Sequence, residues 1–254
     1  MRYVFSMKKL FLVLTLSICS CTSVRIFTPN PAVEPPELRG DRGIKLGGSL
    51  VGSHETKATD NASATPPDMA HPELNTAFDF FSSAVYSPIE EIEAGIEASP
   101  LHGGYAAIFR WQPIGEGAHK SDEGNIPVAF YLKGGQGETK SDEIYSAFDT
   151  YKGTIRESFV HSGFSAGYRV SKNLLIYAGG AFGQYWMRSE VDQKQNVYVG
   201  YSTGNGITAG TGIFCDFTHV QFFVSGEFTH LAYSGTSTRD DLYLHSGVSF
   251  TFGH

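Results

Sequence analysis

The chain has 254 residues, of which 18% are charged, and a formal net charge of -7. No basic run occurs in its body, which excludes nucleic acid as a partner because a phosphate-binding surface needs clustered Lys and Arg. Twenty-nine Gly, 13% aromatic residues and almost no apolar spacing of helical period predict an all-β domain.

In chain order, the first element is "MKKLFLVLTLSICSC", with Lys8 and Lys9 ahead of an apolar run from Leu10 to Leu16 and small residues closing it. That is the layout of a secretory signal peptide over 1–20, starting at Met1 or Met7, and it is too short to span a bilayer as a helix. Ile18-Cys19-Ser20-Cys21 resembles a bacterial lipobox, a resemblance that implies cleavage before Cys21 and lipid attachment to it. Residues 21–42, with "TPNPAVEPPELRGDRG" at their centre, read as a Pro-rich extended tether. The segment 43–254 reads as one domain. Cys215 is the only cysteine after Cys21, so no internal disulfide framework holds that domain.

From Gly43 onward, alternation of period 2 predicts strand after strand. Ile44, Leu46 and Leu50 oppose Lys45 and Ser49, while Phe78, Phe80, Ala84 and Tyr86 oppose Asp79 and Ser83. Ile92, Ala94, Ile96 and Ala98 oppose Glu91, Glu93 and Glu97. Tyr105, Ala107, Phe109 and Trp111 oppose Arg110 and Gln112, and Phe130 and Leu132 oppose Tyr131 and Lys133. Val160, Phe164, Tyr168 and Val170 oppose Glu157, His161 and Arg169. "LLIYAGGAFGQYWMR" is apolar on both sides, whereas Ile207, Ile213 and Phe217 oppose Gly, Ser, Thr and finally Asp216. Phe222, Val224 and Phe228 oppose Gln221, Ser225 and Glu227, and Leu242, Leu244, Val248, Phe250 and Phe252 close the series. The count is about ten strands, or eight if the hairpin around Pro100 does not form.

The side opposite the apolar one carries Gly, Ser, Thr and isolated charges of both signs, where a soluble sandwich would carry solubilising Lys and Glu. A narrow lumen explains this pattern, with apolar residues facing lipid and every backbone group paired by closure. Short turns ("SPIE", "VSKN", "FTHV") alternate with longer polar links ("DNASATPPDMAHPE", "KSDEIYSAFDTYKG", "EVDQKQN", "SGTSTRDD"). The "EGAHKSDEGN" link breaks the alternation. On these residues the chain resembles the small bacterial outer-membrane β-barrel proteins of eight or ten strands. The resemblance implies an antiparallel up-and-down barrel in the outer membrane, with Val248, Phe250 and Phe252 as an assembly signal for the barrel-assembly machinery. Gly253 and His254 run past the usual aromatic end.

Glu93, Glu97, Arg110, Lys133, Glu157, His161 and Arg169 are expected to line the lumen as a salt-bridge network, with Glu91 in the same acidic ladder. Glu157 and His161 lie about 13 Å apart along their strand and need partners from elsewhere. No motif at a telling spacing singles out a catalytic residue, a metal site or a cofactor. The expectation is therefore a non-enzymatic barrel with a structural or surface-interaction role, in contact with outer-membrane lipid. A narrow channel and a soluble, lipid-tethered β-barrel or sandwich holding a ligand stand as alternatives, and a hydrolase using loop carboxylates and histidines near the outer rim (Glu190, Asp192, Asp240, Asp241, His54, His71) is a further one.

Overall fold

The computed structural model describes residues 24–40, 42–58, 73–100, 103–145, 150–193, 196–217, 219–234 and 238–252. The expected signal peptide, Cys21 and the choice of start lie outside them. Eleven strands follow: β1 (Val24–Pro29), β2 (Gly43–Ala58), β3 (Glu73–Ile89), β4 (Ile92–Ala98), β5 (Tyr105–Ile114), β6 (Val128–Tyr145), β7 (Thr150–Ser171), β8 (Leu174–Gln193), β9 (Asn196–Phe217), β10 (Val220–Tyr233) and β11 (Arg239–Phe252). Each of β2 to β11 pairs antiparallel with the next, and β11 returns to β2 with Phe252 beside Ile44 and Ser246 beside Leu50. The wall is a closed ten-stranded barrel. The hairpin at Pro100 does form, with Ser99 N–H donating to Gly104 O at 2.8 Å and Gly103 at φ 69°.

The apolar sides face outward. Phe80, Phe109, Trp111, Phe130, Phe164, Phe182, Ile213, Phe228, Leu244 and Phe250 are all exposed on the outer surface. They line no soluble core. On β7 the apolar outward row runs from Val160 to Val170, ten steps along the strand. That is about 33 Å along the strand, or about 25 Å along a membrane normal at ordinary barrel tilt, which is the height of a lipid-facing band. The ambiguous β8 run resolves with Leu175, Tyr177, Ala181, Tyr185 and Met187 buried inside and Ile176, Phe182 and Trp186 outside.

Two links expected as loops are largely strand. β6 and β7 continue pairing to Tyr145 and Thr150, and β8 and β9 to Gln193 and Asn196. These hairpins run on past the apolar outward row, where the outer face carries charge instead of grease. Arg156 pairs with Glu138 and Arg188 with Glu190 on their outer surface.

The larger correction concerns the Pro-rich stretch, which is not a solvated tether. Ile26, Thr28, Asn30, Val33, Glu37, Leu38 and Arg39 are all buried. β1 pairs with the far end of β2, from Val24 beside Ala58 to Pro29 beside Ser53, and the chain then descends through the lumen to Gly40. To receive it, β2 leaves β11 above Leu50 and turns inward, so that Val51 to Glu55 are buried on both faces. Behind it, Arg239 of β11 donates to Leu74 O of β3 at 2.6 Å, and Thr76 donates to Asp241 at 2.8 Å, spanning the gap in the wall.

Candidate functional site: the threaded lumen

The segment 24–40 meets a lumen built to receive it. Pro29, Pro31, Pro35 and Pro36 have no N–H to satisfy, so an extended chain outside any sheet carries fewer donors into the interior. Its carbonyls are taken by wall side chains: Tyr185 Oη donates to Pro29 O, Tyr131 Oη to Ala32 O, and Arg110 Nη2 to Pro35 O. Asn30 N–H donates to Gly52 O at 2.9 Å. Small wall residues leave the groove. A Cβ at Gly183 would lie 2.7 Å from Pro31 Cγ, and one at Gly179 would lie 2.9 Å from Val33 Cγ1. Val33 itself packs with Leu175, Tyr177 and Phe214.

At the loop end of the lumen, Glu157 of β7 is fully buried and gathers three donors. Thr28 Oγ1 reaches Oε2 at 2.7 Å, while His54 Nε2 lies 3.0 Å from Oε1, which Tyr233 Oη also meets. Tyr185 stacks on Tyr233 at 5.8 Å between ring centroids. His161 does not join this cluster. Its ring lies 4.5 Å from that of Phe159 and 5.4 Å from that of Tyr185, and its Nε2 has no hydrogen-bond partner.

Midway, Lys133 of β6 pairs with Glu97 of β4, its ammonium 5.0 Å above the Phe81 ring. Across the lumen, Glu227 accepts from Ser225 at 2.6 Å and meets His245 Nδ1 at 3.2 Å.

At the turn end, Glu93 of β4 is the hub. Arg110 Nη1 lies 3.0 Å and Lys45 Nζ 3.1 Å from its Oε2, and Arg39 N–H donates to its Oε1 at 2.6 Å. Gln112 Oε1 accepts from Leu38 N–H at 2.7 Å. Arg169 of β7 closes on Glu37 of the threaded segment through both Nε (2.9 Å) and Nη2. The irregular 115–127 link explains itself here. It folds across the mouth, where Ala118 N–H donates to Leu38 O at 2.8 Å and Ser121 Oγ to Glu37 at 2.7 Å. Gly40, at φ 78°, lies so close to Gly117 that a Cβ on it would come 2.7 Å from the Gly117 Cα, so both positions need glycine.

The lumenal residues named from sequence therefore fall into separate clusters. Glu93 meets Arg110, and Glu97 meets Lys133. Glu157 and Arg169 find partners outside the ladder, and Glu91 is exposed in the β3–β4 turn. Sequence reasoning put Lys45, Gln112 and Glu227 on the inward side without assigning them partners, and it missed His54, Tyr233 and, above all, Glu37 as lumenal groups. The available signal for Glu37 was Arg169, an inward cation with no acid opposite it on its neighbours, since its cross-strand partner is Leu175. Val248, Phe250 and Phe252 face outward on the closing strand, beside Gly48, Leu46 and Ile44. Among the described residues no group of His, Cys, Asp or Glu is arranged to hold a metal ion.

A closed antiparallel wall with an apolar outer band and a polar interior decides the architecture. The chain is an outer-membrane-type β-barrel. No family model and no curated protein matches it. Among solved structures it is similar to the outer membrane protease OmpT of Escherichia coli (8% identity, 91% of this chain and 96% of that one, TM-score 0.43). It is also similar to Ail, the attachment invasion locus protein of Yersinia pestis (9% identity, 85% and 100%, TM-score 0.35). The translocator domain of autotransporter NalP from Neisseria meningitidis is a third such structure (10% identity, 96% and 94%, TM-score 0.30). The expectation that the chain is no enzyme is withdrawn, because OmpT, a protease, is among these structures. At such identities and scores the likeness carries no residue and no activity to this chain.

Proposed function

We propose that the chain is a self-plugged barrel of the bacterial outer membrane that presents its tall hairpins at the cell surface, with lipid on Cys21 as a second anchor. One observation carries this reading: residues 24–40 fill the lumen from one mouth to the other and are clamped at both. A ten-stranded barrel leaves little more than side-chain space inside, and here that space holds the chain's own backbone, which counts against an open channel. The short-turn end faces the periplasm and the hairpin end the exterior, as in other barrels of this kind. Val248, Phe250 and Phe252 serve the assembly machinery as the terminal strand signal.

Two measurements test the proposal. The Cys21→Ala protein in isolated outer membranes should shift its gel mobility on boiling; a protein that washes off with salt and does not shift removes the membrane barrel. Full-length protein in planar bilayers should show no steady conductance, and a variant lacking residues 24–40 should conduct. Steady conductance by the full-length protein would favour the channel instead.

A further inference from the structure

The apolar outer face of β5 to β8 is not even. Its outward residues form rows across the strands, Phe109–Leu132–Ser162–Phe182 in one and Trp111–Phe130–Phe164–Gly180 in the next. Ser162 and Gly180 are the small members of these rows. An apolar depression of about 710 Å3 opens over them, walled by Trp111, Phe130, Leu132, Phe164 and Phe182. The wall itself does not require glycine at 180. A Cβ there would lie 3.4 Å from Thr208 O and 3.7 Å from Phe164 Cε1, which are ordinary contacts, whereas one on neighbouring Gly179 would collide with Phe164 O. The missing side chain at 180 therefore keeps the depression open on the lipid side.

The same strands carry cations above it. Arg156 stands six residues above Ser162 on β7, Arg188 stands eight above Gly180 on β8, and the two are directly opposite each other. Those separations are about 20 and 26 Å along the strands, or about 15 and 20 Å along the membrane normal at ordinary barrel tilt. Half a bilayer with its headgroups is about 20–22 Å deep, so a single lipid spans both features. Arg156 and Lys140 share Glu138, and Arg188 meets Glu190, which leaves three cations with two acids on this face. Arg156 uses Nε and Arg188 uses Nη2 for those pairs, so each guanidinium keeps N–H donors for a further oxygen. Like charges directly opposite repel, and an anion between them removes that cost. Higher on the same strands, Asp192 stands opposite Lys152. On β10 and β11 the outer pairs His230–Asp240 and Arg239–Asp241 carry no cationic excess.

We infer that the outer face of β6 to β8 seats one phospholipid of the leaflet at the hairpin end, with an acyl chain in the depression over Ser162 and Gly180 and an anionic phosphate headgroup between Arg156 and Arg188. The apolar walls select hydrocarbon, and the paired guanidiniums select the anionic headgroup over a zwitterionic one. Depth and charge together pick out this face of the barrel from the rest of the apolar band.

The seat rests on the membrane-barrel reading above, and the experiment separates the two failures. Trp111 and Trp186 are the two tryptophans of the chain, and Trp111 is in the wall of the depression. Full-length Trp186→Phe protein is reconstituted in phosphatidylcholine vesicles, and Trp111 fluorescence is quenched by phosphatidylglycerol or phosphatidylcholine with brominated acyl chains at the same low mole fraction. Phosphatidylglycerol should quench with an affinity about fivefold higher, the preference that one net basic residue confers near a membrane surface. Arg156→Gln with Arg188→Gln should abolish the preference while the boiling shift persists, and Arg188→Gln alone repeats the reading should the double variant fail to fold. Gly180→Leu fills the depression and should lower quenching by phosphatidylglycerol to the phosphatidylcholine level; Ser162→Leu serves if Gly180→Leu disturbs the wall. Equal quenching by the two lipids, or a preference that survives loss of both arginines, overturns the seat. Quenching by neither lipid, with a dimer trapped by cross-linking, assigns the face to a second copy and also overturns it. A parent without a boiling shift removes the membrane barrel, and the seat with it.

Discussion

Glu37→Ala tests whether the threaded segment is held by paired charge. Arg169 is fully buried, and both its Nε and its Nη2 are committed to Glu37, with Ser121 and Asn125 as the further partners of that carboxylate. Removing the carboxylate leaves a guanidinium buried without a counter-charge, a change that costs about 3–5 kcal/mol. At 1.4 kcal/mol per tenfold, the opened population of the lower segment should rise by about two to three and a half orders of magnitude. Hydrogen exchange in detergent reads this directly, because the Leu38 and Arg39 amides are held by Gln112 and Glu93. Exchange of residues 37–40 should accelerate by that factor, while amides of β7 to β9 keep their protection. Replacing both partners, as Glu37→Leu with Arg169→Leu, removes the unpaired charge and should recover most of the protection. Unchanged exchange in Glu37→Ala would refute the clamp. A double variant worse than the single would show that packing, and not the ion pair, holds the segment.

The other clusters give further expectations. Tyr233→Phe removes one donor of three to Glu157 and should cost about 1 kcal/mol, whereas Glu157→Ala takes the carboxylate from His54, Tyr233 and Thr28 together and should cost about 3 kcal/mol or more; the midpoint of the boiling shift ranks the two. Gly183→Ala forces a methyl to within 2.7 Å of Pro31 and should destabilise by about 1–3 kcal/mol, while Gly226→Ala, which meets nothing within 4 Å, should leave the midpoint unchanged. Equal behaviour of the two glycine variants would show that the segment does not fit its groove tightly. Arg239→Ala removes the bridge to Leu74 O, and amides in the upper halves of β3 and β11 should exchange faster with β8 and β9 unaffected.

The wall was legible because lipid reverses nothing in the period of a strand. Alternation at Ile44–Leu46, Phe109–Trp111 or Phe222–Val224 survives whichever solvent the apolar side meets, and the direction of facing followed from the small, mixed-sign opposite side. Strand ends above the membrane were not legible. At Glu138, Arg156 and Arg188 the outer face is charged where lower down it is apolar, so the greasy outward row that marks a strand is missing there. The threaded segment was misread for a different reason. Four prolines in the eight residues from Pro29 to Pro36 suit a solvated linker, because they favour an extended chain without internal hydrogen bonds. They suit a buried thread equally well, because the same missing N–H groups leave less to satisfy. Composition does not separate the two. The unpaired charges on the strands do: Arg169 faces Leu175 on one side and requires an acid from outside the wall.

The thread and the wall are not independent parts. β2 has one edge for β3 along its length, and its other edge is divided between β11 up to Leu50 and β1 from Ser53 onward. Above the division, β11 from Arg239 to His245 pairs with β10 alone. Its free edge is reached only by side chains, with Tyr243 Oη 3.4 Å from Ser53 O and its ring packed where a Cβ on Gly52 would stand. If the β11–β2 register simply continued, Tyr243 would oppose Ser53 and Leu242 would oppose His54, and the inward bend of β2 would have no reason to form. β1 therefore competes with β11 for the same row of backbone groups. The thread is held there because pairing β1 places Thr28 and His54 on Glu157, two of the three donors that carboxylate finds among the described residues, with Tyr233 the third. The energetic reason for the open upper seam thus lies across the lumen from it, in a single acid on β7.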